Sequence, residues 1–165
     1  MKWLRITLPV VLISLSTLAF SQSGGQKSFD QLKTLAGSWE GSFQGKPTHI
    51  TIRLTSRGHA ILHEIRMDGI PDDPITMVYL DGNQLFLTHY CDAGNRPRMQ
   101  GKLLPDGKTV DFTLLDVANY KATQGGHMQH GTFNLVDADH HSEDWTFMFE
   151  GKPPMRIHFD LTRAK

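Results

Sequence analysis

The chain has almost no cysteine: Cys91 is the only one in 165 residues. That excludes an internal disulfide, so stability has to come from a packed core. It also has no excess of charge of either sign, with 17 Lys and Arg against 17 Asp and Glu. Such a balance offers no basic footprint for nucleic acid or for an anionic membrane surface. No nucleophile elbow, metal motif or phosphate-binding glycine loop is present. Internal repeats, low-complexity tracts and interdomain linkers are missing as well. Long apolar runs are limited to one, Ile6 to Phe20, broken only by Thr, Ser and Pro9. At 15 residues it falls short of the roughly 20 needed to cross a bilayer as a helix.

That run follows Lys2 and Arg5 and precedes the small residues of Ala19-Phe20-Ser21. A basic start, a short apolar stretch and a small-residue cleavage site are the pattern of a secretory signal peptide. The expectation is cleavage after Ser21, with residues 1–21 removed and 22–165 forming a single domain that is secreted or periplasmic. No cysteine follows the run to accept a lipid anchor, so no stable membrane insertion is expected. The remaining 144 residues hold 15 basic and 17 acidic side chains and suffice for one core.

Helical signal is scarce. Only 28–35 (SFDQLKTL) has apolar residues on one helical face, Phe29, Leu32 and Leu35, with Ser28 to cap it and Gly37 to end it. Residues 22–26 (QSGGQ) read as a flexible lead-in. Beyond Gly37, extended segments recur at 38–44, 47–56, 59–67, 74–81, 84–91, 97–104, 108–115, 127–136, 142–150 and 154–162. Turn residues separate most of them, as at Asp81-Gly82-Asn83 and Pro105-Asp106-Gly107. Regular spacing with short turns predicts an all-β fold. Its expected form is an antiparallel up-and-down barrel of about ten strands with a short N-terminal helix, with a β-sandwich as the alternative. Alternation places Met155, Ile157, Phe159 and Leu161 on one face of the last strand, and Trp145, Phe147 and Phe149 on one face of the strand before it. The stretch 116–126 is too long for a tight turn. It reads as a surface insertion or as a lid tipped by Tyr120.

Trp39 on the first strand and Arg163 at the end of the last form a bracket around this meander. The bracket resembles that of the lipocalin-like (calycin) barrels, in which a first-strand tryptophan packs under a last-strand arginine. The resemblance implies a closed barrel with an internal pocket, Trp39 and Arg163 serving closure and packing.

The segment 77–99 (MVYLDGNQLFLTHYCDAGNRPRM) is the densest in chemistry. A two-residue turn at Gly82-Asn83 sets Leu80 across from Leu85 and Val78 across from Leu87. Leu85, Leu87, His89 and Cys91 then share one face, and Phe86, Thr88 and Tyr90 the other. Either face could be interior; the first is favoured because its start is the more apolar. The run Thr88-His89-Tyr90-Cys91, followed by Asn95 and Pro97-Arg98-Met99, resembles a family of exported bacterial lipocalin-like proteins of unknown function. Met77, Tyr79, Asp81-Gly82 and Glu64 are similar to that family too. No residue roles come with the resemblance. The pattern differs from that of the haem-binding nitrobindins, whose C-terminal histidine motif is not found around His158.

Candidate ligand-binding residues are therefore Glu64, Met77, Tyr79, His89, Tyr90, Cys91, Asn95 and Arg98. Glu64, Asn95 and Arg98 supply polar groups that orient a ligand among apolar neighbours, Arg98 by a planar fork suited to carboxylate or phosphate. The alternative for Arg98 is an ion pair with a surface carboxylate. Glu64, His89, Cys91 and Arg98, on neighbouring strands, are expected to form one polar cluster if their face is interior.

His89 with Cys91 has the strand spacing of a thiolate–imidazole pair, but a structural histidine beside a packed thiol is the default. His127 and His130 fall on opposite faces of a regular strand and cannot share a metal ion. His59, His63 and His89 would converge only if all face inward. His140 and His141, beside Asp137, Asp139, Glu143 and Asp144, read as a solvated hairpin tip. No cofactor, metal or catalytic residue is assigned. The expected function is to bind a small apolar or amphipathic molecule, with an enzyme using His89, Cys91 or Glu64 as the alternative.

Overall fold

The computed structural model describes residues 22–69, 74–121, 123 and 125–165; the expected signal peptide, 1–21, lies outside the described residues. One helix, α1 (Gly24–Lys33), precedes ten strands. These are β1 (Gly37–Phe43), β2 (Lys46–Thr55), β3 (Ala60–Met67), β4 (Ile75–Asp81), β5 (Gln84–Tyr90), β6 (Arg96–Leu103), β7 (Thr109–Ala118), β8 (His127–Leu135), β9 (His140–Phe149) and β10 (Lys152–Arg163). Each strand pairs antiparallel with its neighbours in sequence, and β10 pairs back onto β1, so the sheet is a closed up-and-down barrel. Closure satisfies every edge and excludes the sandwich alternative.

The predicted strands occur in their predicted places, with the largest boundary change at the end of β7, at 118 instead of 115. That extension absorbs the start of the 116–126 stretch. The hairpin at Gly82-Asn83 has the expected register, Leu80 opposite Leu85 and Val78 opposite Leu87. The helix differs. It begins in the supposed lead-in, where the Ser23 side chain accepts from the Gln26 amide and caps it. Ser28 instead sits fully buried, donating to Gly24 O and accepting from the Leu103 amide, and so staples the helix to β6.

Helix α1 closes one end of the barrel. Phe29, Leu32 and Leu35 are buried with Ile52, Ile61, Val78 and Leu85 from the inward strand faces. Trp39 is beside them, 1% exposed, its indole nitrogen donating to Leu35 O at 2.8 Å. The Arg163 guanidinium lies over the indole, 4.2 Å from its centroid. It also donates to the carbonyls of Ala138, Ala36 and Thr34 at 2.9, 2.9 and 3.3 Å. Gly37 is needed at this junction. Its φ of +148° strains any other residue, and a Cβ there would stand 2.3 Å from Arg163 Nη1.

Two bulges shift the alternation. Between Arg98–Asp116 and Met99–Leu114 the pairing skips Leu115, and between Met128–Phe147 and His130–Thr146 it skips Gln129. The second bulge turns both Met128 and Gly131 inward, so His127 and His130 both lie on the outer wall. The opposite-face expectation for that pair fails because a bulge adds one residue to the count.

Candidate functional site

In an up-and-down barrel the connections alternate between the two ends. The turns β2–β3, β4–β5, β6–β7 and β8–β9 lie at the α1 end, and the other five surround the opposite end. Gln44, Pro74, Asp92 and Gly125 from four of these five connections, with Phe149 at the end of β9, line a cavity of about 640 Å³. Its wall is apolar: Ile65 and Met67 from β3, Met128 from β8, Phe147 from β9, Ile157 and Phe159 from β10. These are the inward faces that alternation on β9 and β10 predicted. Trp145 lies deeper, and Gly131 opposite makes room for its indole, since a Cβ at 131 would sit 2.3 Å from the ring.

Two polar residues enter this wall from neighbouring strands. Thr76 and His89 are paired across β4 and β5 and are both buried. Thr76 Oγ1 and His89 Nδ1 share a hydrogen bond of 2.9 Å. Burial above all, with His63 nearby and against a small opposing pull from Asp92, lowers the His89 pKa to about 4. The ring is therefore neutral at neutral pH. Cys91 lies nearer the mouth, where its thiol donates to Asp92 Oδ1 at 3.2 Å.

A measurable pH dependence follows. Above pH 6.5 the histidine is neutral in both the folded and the unfolded chain. As pH falls, the unfolded chain takes up a proton that the folded chain resists until about pH 4. Stability should thus be lost between about pH 6.5 and 4, by about 3 kcal/mol from this group. Urea melts across that range should show the loss in the wild type and not in His89→Phe. An equal loss in both would refute it.

The predicted cluster does not converge. His89 and Cys91 line the cavity, whereas Glu64 is on the outer wall, 3.5 Å from Arg53, because His63 and Ile65 on either side of it point inward. Arg98 is also outside. Its side chain is 44% exposed and bonds Asp116 at 2.6 Å, as the surface-pair alternative had it. Met77 and Tyr79 flank the inward Val78 and lie on the outer wall, with Tyr79 against Phe86 and bonded to Thr88. Tyr90 is 45% exposed. Asn95 is buried, but its amide donates to Gly126 O at 2.9 Å and so ties the β5–β6 loop to the start of β8. Tyr120 does not line the cavity; its ring meets His127 edge-on at 4.8 Å. His59 is exposed ahead of β3 and does not join His63 and His89.

Sequence reasoning missed the most polar part of the interior. Glu143 is fully buried below the cavity floor. His63 Nε2 donates to both of its oxygens at 3.0 and 3.1 Å, and His141 Nε2 donates to Oε1 at 3.1 Å. Trp145 Nε1 donates to Oε2 at 3.0 Å. A carboxylate only accepts, so Nε2 of each ring carries a proton. Burial alone would raise the Glu143 pKa. The His63 charge, the bonds from His141 and His63 and the His141 charge more than offset it and hold it at about 2. The supposed solvated tip is thus split: His140 pairs with Asp137 at the surface, while His141 and Glu143 point inside. Period-two spacing from Trp145 back to Glu143 and His141 was the signal available. Among the described residues, no three His, Cys, Asp or Glu side chains are arranged to hold a metal ion.

The chain matches no protein-family model and no curated protein. Its barrel is similar to the crystal structure of Rv2717c from M. tuberculosis, with a TM-score of 0.60 and 14% identity over 84% of this chain and 98% of that one. It is also similar to a protein of unknown function from the DUF3598 family of Nostoc punctiforme, with a TM-score of 0.56 and 14% identity. There the match covers 81% of this chain and 48% of the other. At such identity the likeness is one of fold, and it sets this chain beside other proteins built on a barrel.

Proposed function

We propose that the protein is an exported carrier that holds a small, mostly apolar molecule inside a lipocalin-like barrel. The observation that carries this reading is the cavity of about 640 Å³ with its aromatic, Ile and Met wall. It falls within the range of about 300–1,000 Å³ in which small-molecule sites bury most of their ligand. Export rests on the signal-peptide pattern of residues 1–21, and the lipocalin-like reading draws on the Trp39–Arg163 stack. The enzyme alternative has less support, since Glu64 lies across the wall from His89 and Cys91.

The test is titration with diphenylhexatriene, a hydrocarbon that fluoresces in apolar surroundings. Saturable one-to-one binding is expected. Ile157→Trp, which fills the cavity from β10, should weaken it at least about tenfold, or about 1.4 kcal/mol. Arg98→Ala should leave both binding and stability close to those of the wild type, because its ion pair is exposed. Absence of saturable binding, or equal binding by Ile157→Trp, overturns the carrier reading.

A further inference from the structure

The cavity lining contains histidine, cysteine and aspartate but no Lys or Arg among the described residues. The arginine that the sequence offered for an anionic head group, Arg98, is outside and already paired with Asp116. Asp92, at the mouth, contributes a carboxylate that opposes entry of another. A ligand carboxylate or phosphate would give up its hydration here and meet no cation in return.

The lining also holds Gln44, exposed at the rim, and Trp145, whose nitrogen is bonded to Glu143; the buried wall offers one unpaired nitrogen, that of His89. His89 is 3% exposed, lines the cavity and is fixed in orientation by the Thr76 bond to Nδ1. Its Nε2 has no partner among the described residues, and it is not sealed off as the Nδ1 atoms of His63 and His141 are. Thr76 is in turn next to His63 across β3 and β4, so Ile52, His63, Thr76 and His89 form one transverse inward row. Neighbouring strands thus hold the imidazole where its free nitrogen meets the apolar volume. An unbonded nitrogen in an otherwise apolar wall rewards a ligand with one matching polar atom, and leaves a cost with a ligand that has none.

Resting on the carrier reading, we propose that the cavity selects an uncharged amphiphile: an apolar body with a single hydroxyl or carbonyl oxygen that hydrogen-bonds His89 Nε2. Fatty-acid-like anions are the class it rejects. The imidazole stays neutral in this setting, so it serves such an oxygen as a hydrogen-bond partner and offers a carboxylate no counter-charge.

The experiment is displacement of bound diphenylhexatriene from the protein by 1-decanol and by decanoate at pH 7.5. Nitrogen-15 spectra of the histidines are recorded alongside. Decanol is expected to displace the probe at a concentration at least about tenfold below that of decanoate. It should shift the His89 Nε2 resonance, which decane, lacking any oxygen, should leave in place. His89→Phe should raise the decanol concentration required about tenfold relative to that of decane, with a near-ultraviolet circular dichroism spectrum and an unfolding transition that show the barrel still folds. Thr76→Val, which frees the ring without removing it, should have a smaller effect in the same direction. Decanoate competing as well as decanol, or an unmoved His89 resonance, overturns the assignment and leaves the carrier reading standing. Failure of the hydrocarbon to bind removes the carrier reading and this proposal together.

Discussion

Glu143→Leu is expected to destabilise the folded protein by about 3 to 5 kcal/mol, the cost of breaking a buried ionic cluster by removing one partner. The carboxylate accepts from His63, His141 and Trp145, and all four residues are buried. Leucine leaves three N–H groups with nowhere to turn, inside a barrel whose wall is already paired strand to strand. Glu143→Gln should cost less, since one oxygen still accepts. Adding His63→Leu and His141→Phe to Glu143→Leu should recover much of the loss, because of the three donors only the Trp145 N–H is then left unpaired. The measurement is denaturant unfolding at neutral pH. Melts below pH 4.5 add a second check. The folded carboxyl titrates near 2, so its contribution is present above 4.5 and is lost as pH falls towards 2. The wild type should lose that increment and Glu143→Leu should not. Wild-type stability in Glu143→Leu would mean that the cluster is not the buried anchor described.

Trp39→Ala should cost a similar amount, about 3 to 5 kcal/mol. The indole is 1% exposed and donates to Leu35 O. It stands between the Arg163 guanidinium on one side and the His141 ring, edge-on at 4.2 Å, on the other. Its removal opens a cavity under α1 and detaches the helix from the barrel end. Arg163→Ala should cost less, about 1 to 3 kcal/mol, through the lost carbonyl bonds and the stacked cation. Loss of near-ultraviolet circular dichroism at lower denaturant in both variants is the readout. If both melt with the wild type, the Trp39–Arg163 closure contributes nothing to stability.

Much of the architecture could be read along the chain. Turn residues such as Gly82-Asn83 act within four positions, and strand alternation within two, so the hairpin register and the inward faces of β9 and β10 were legible. The grouping of Leu85, Leu87 and His89 on one face was legible too, while its apolar start only favoured the inside over the Phe86-Thr88-Tyr90 face. The site was legible in one part. His89 was found by that face, whereas Glu64 was placed in the pocket although its neighbours His63 and Ile65 take the inward positions. The β3 run Ala60-Ile61-Leu62-His63-Glu64-Ile65 is apolar on both faces, so alternation there gives no sign of which side is wet.

The sequence by itself therefore determined the number of strands, their order and most of their facing, since each rests on interactions between residues near in the chain. Tertiary structure alone decided the rest. Pairing of β1 with β10 joins residues more than 120 positions apart and turns a meander into an enclosed volume. The bulges at Leu115 and Gln129 arise from how neighbouring strands fit the closed wall, and the second reverses which histidines face outward. Burial of Glu143 depends on His63, 80 residues away in sequence, arriving across the lumen to meet it. A carboxylate is tolerated in an apolar interior only where such partners converge, and convergence is a property of the closed barrel and not of any one strand.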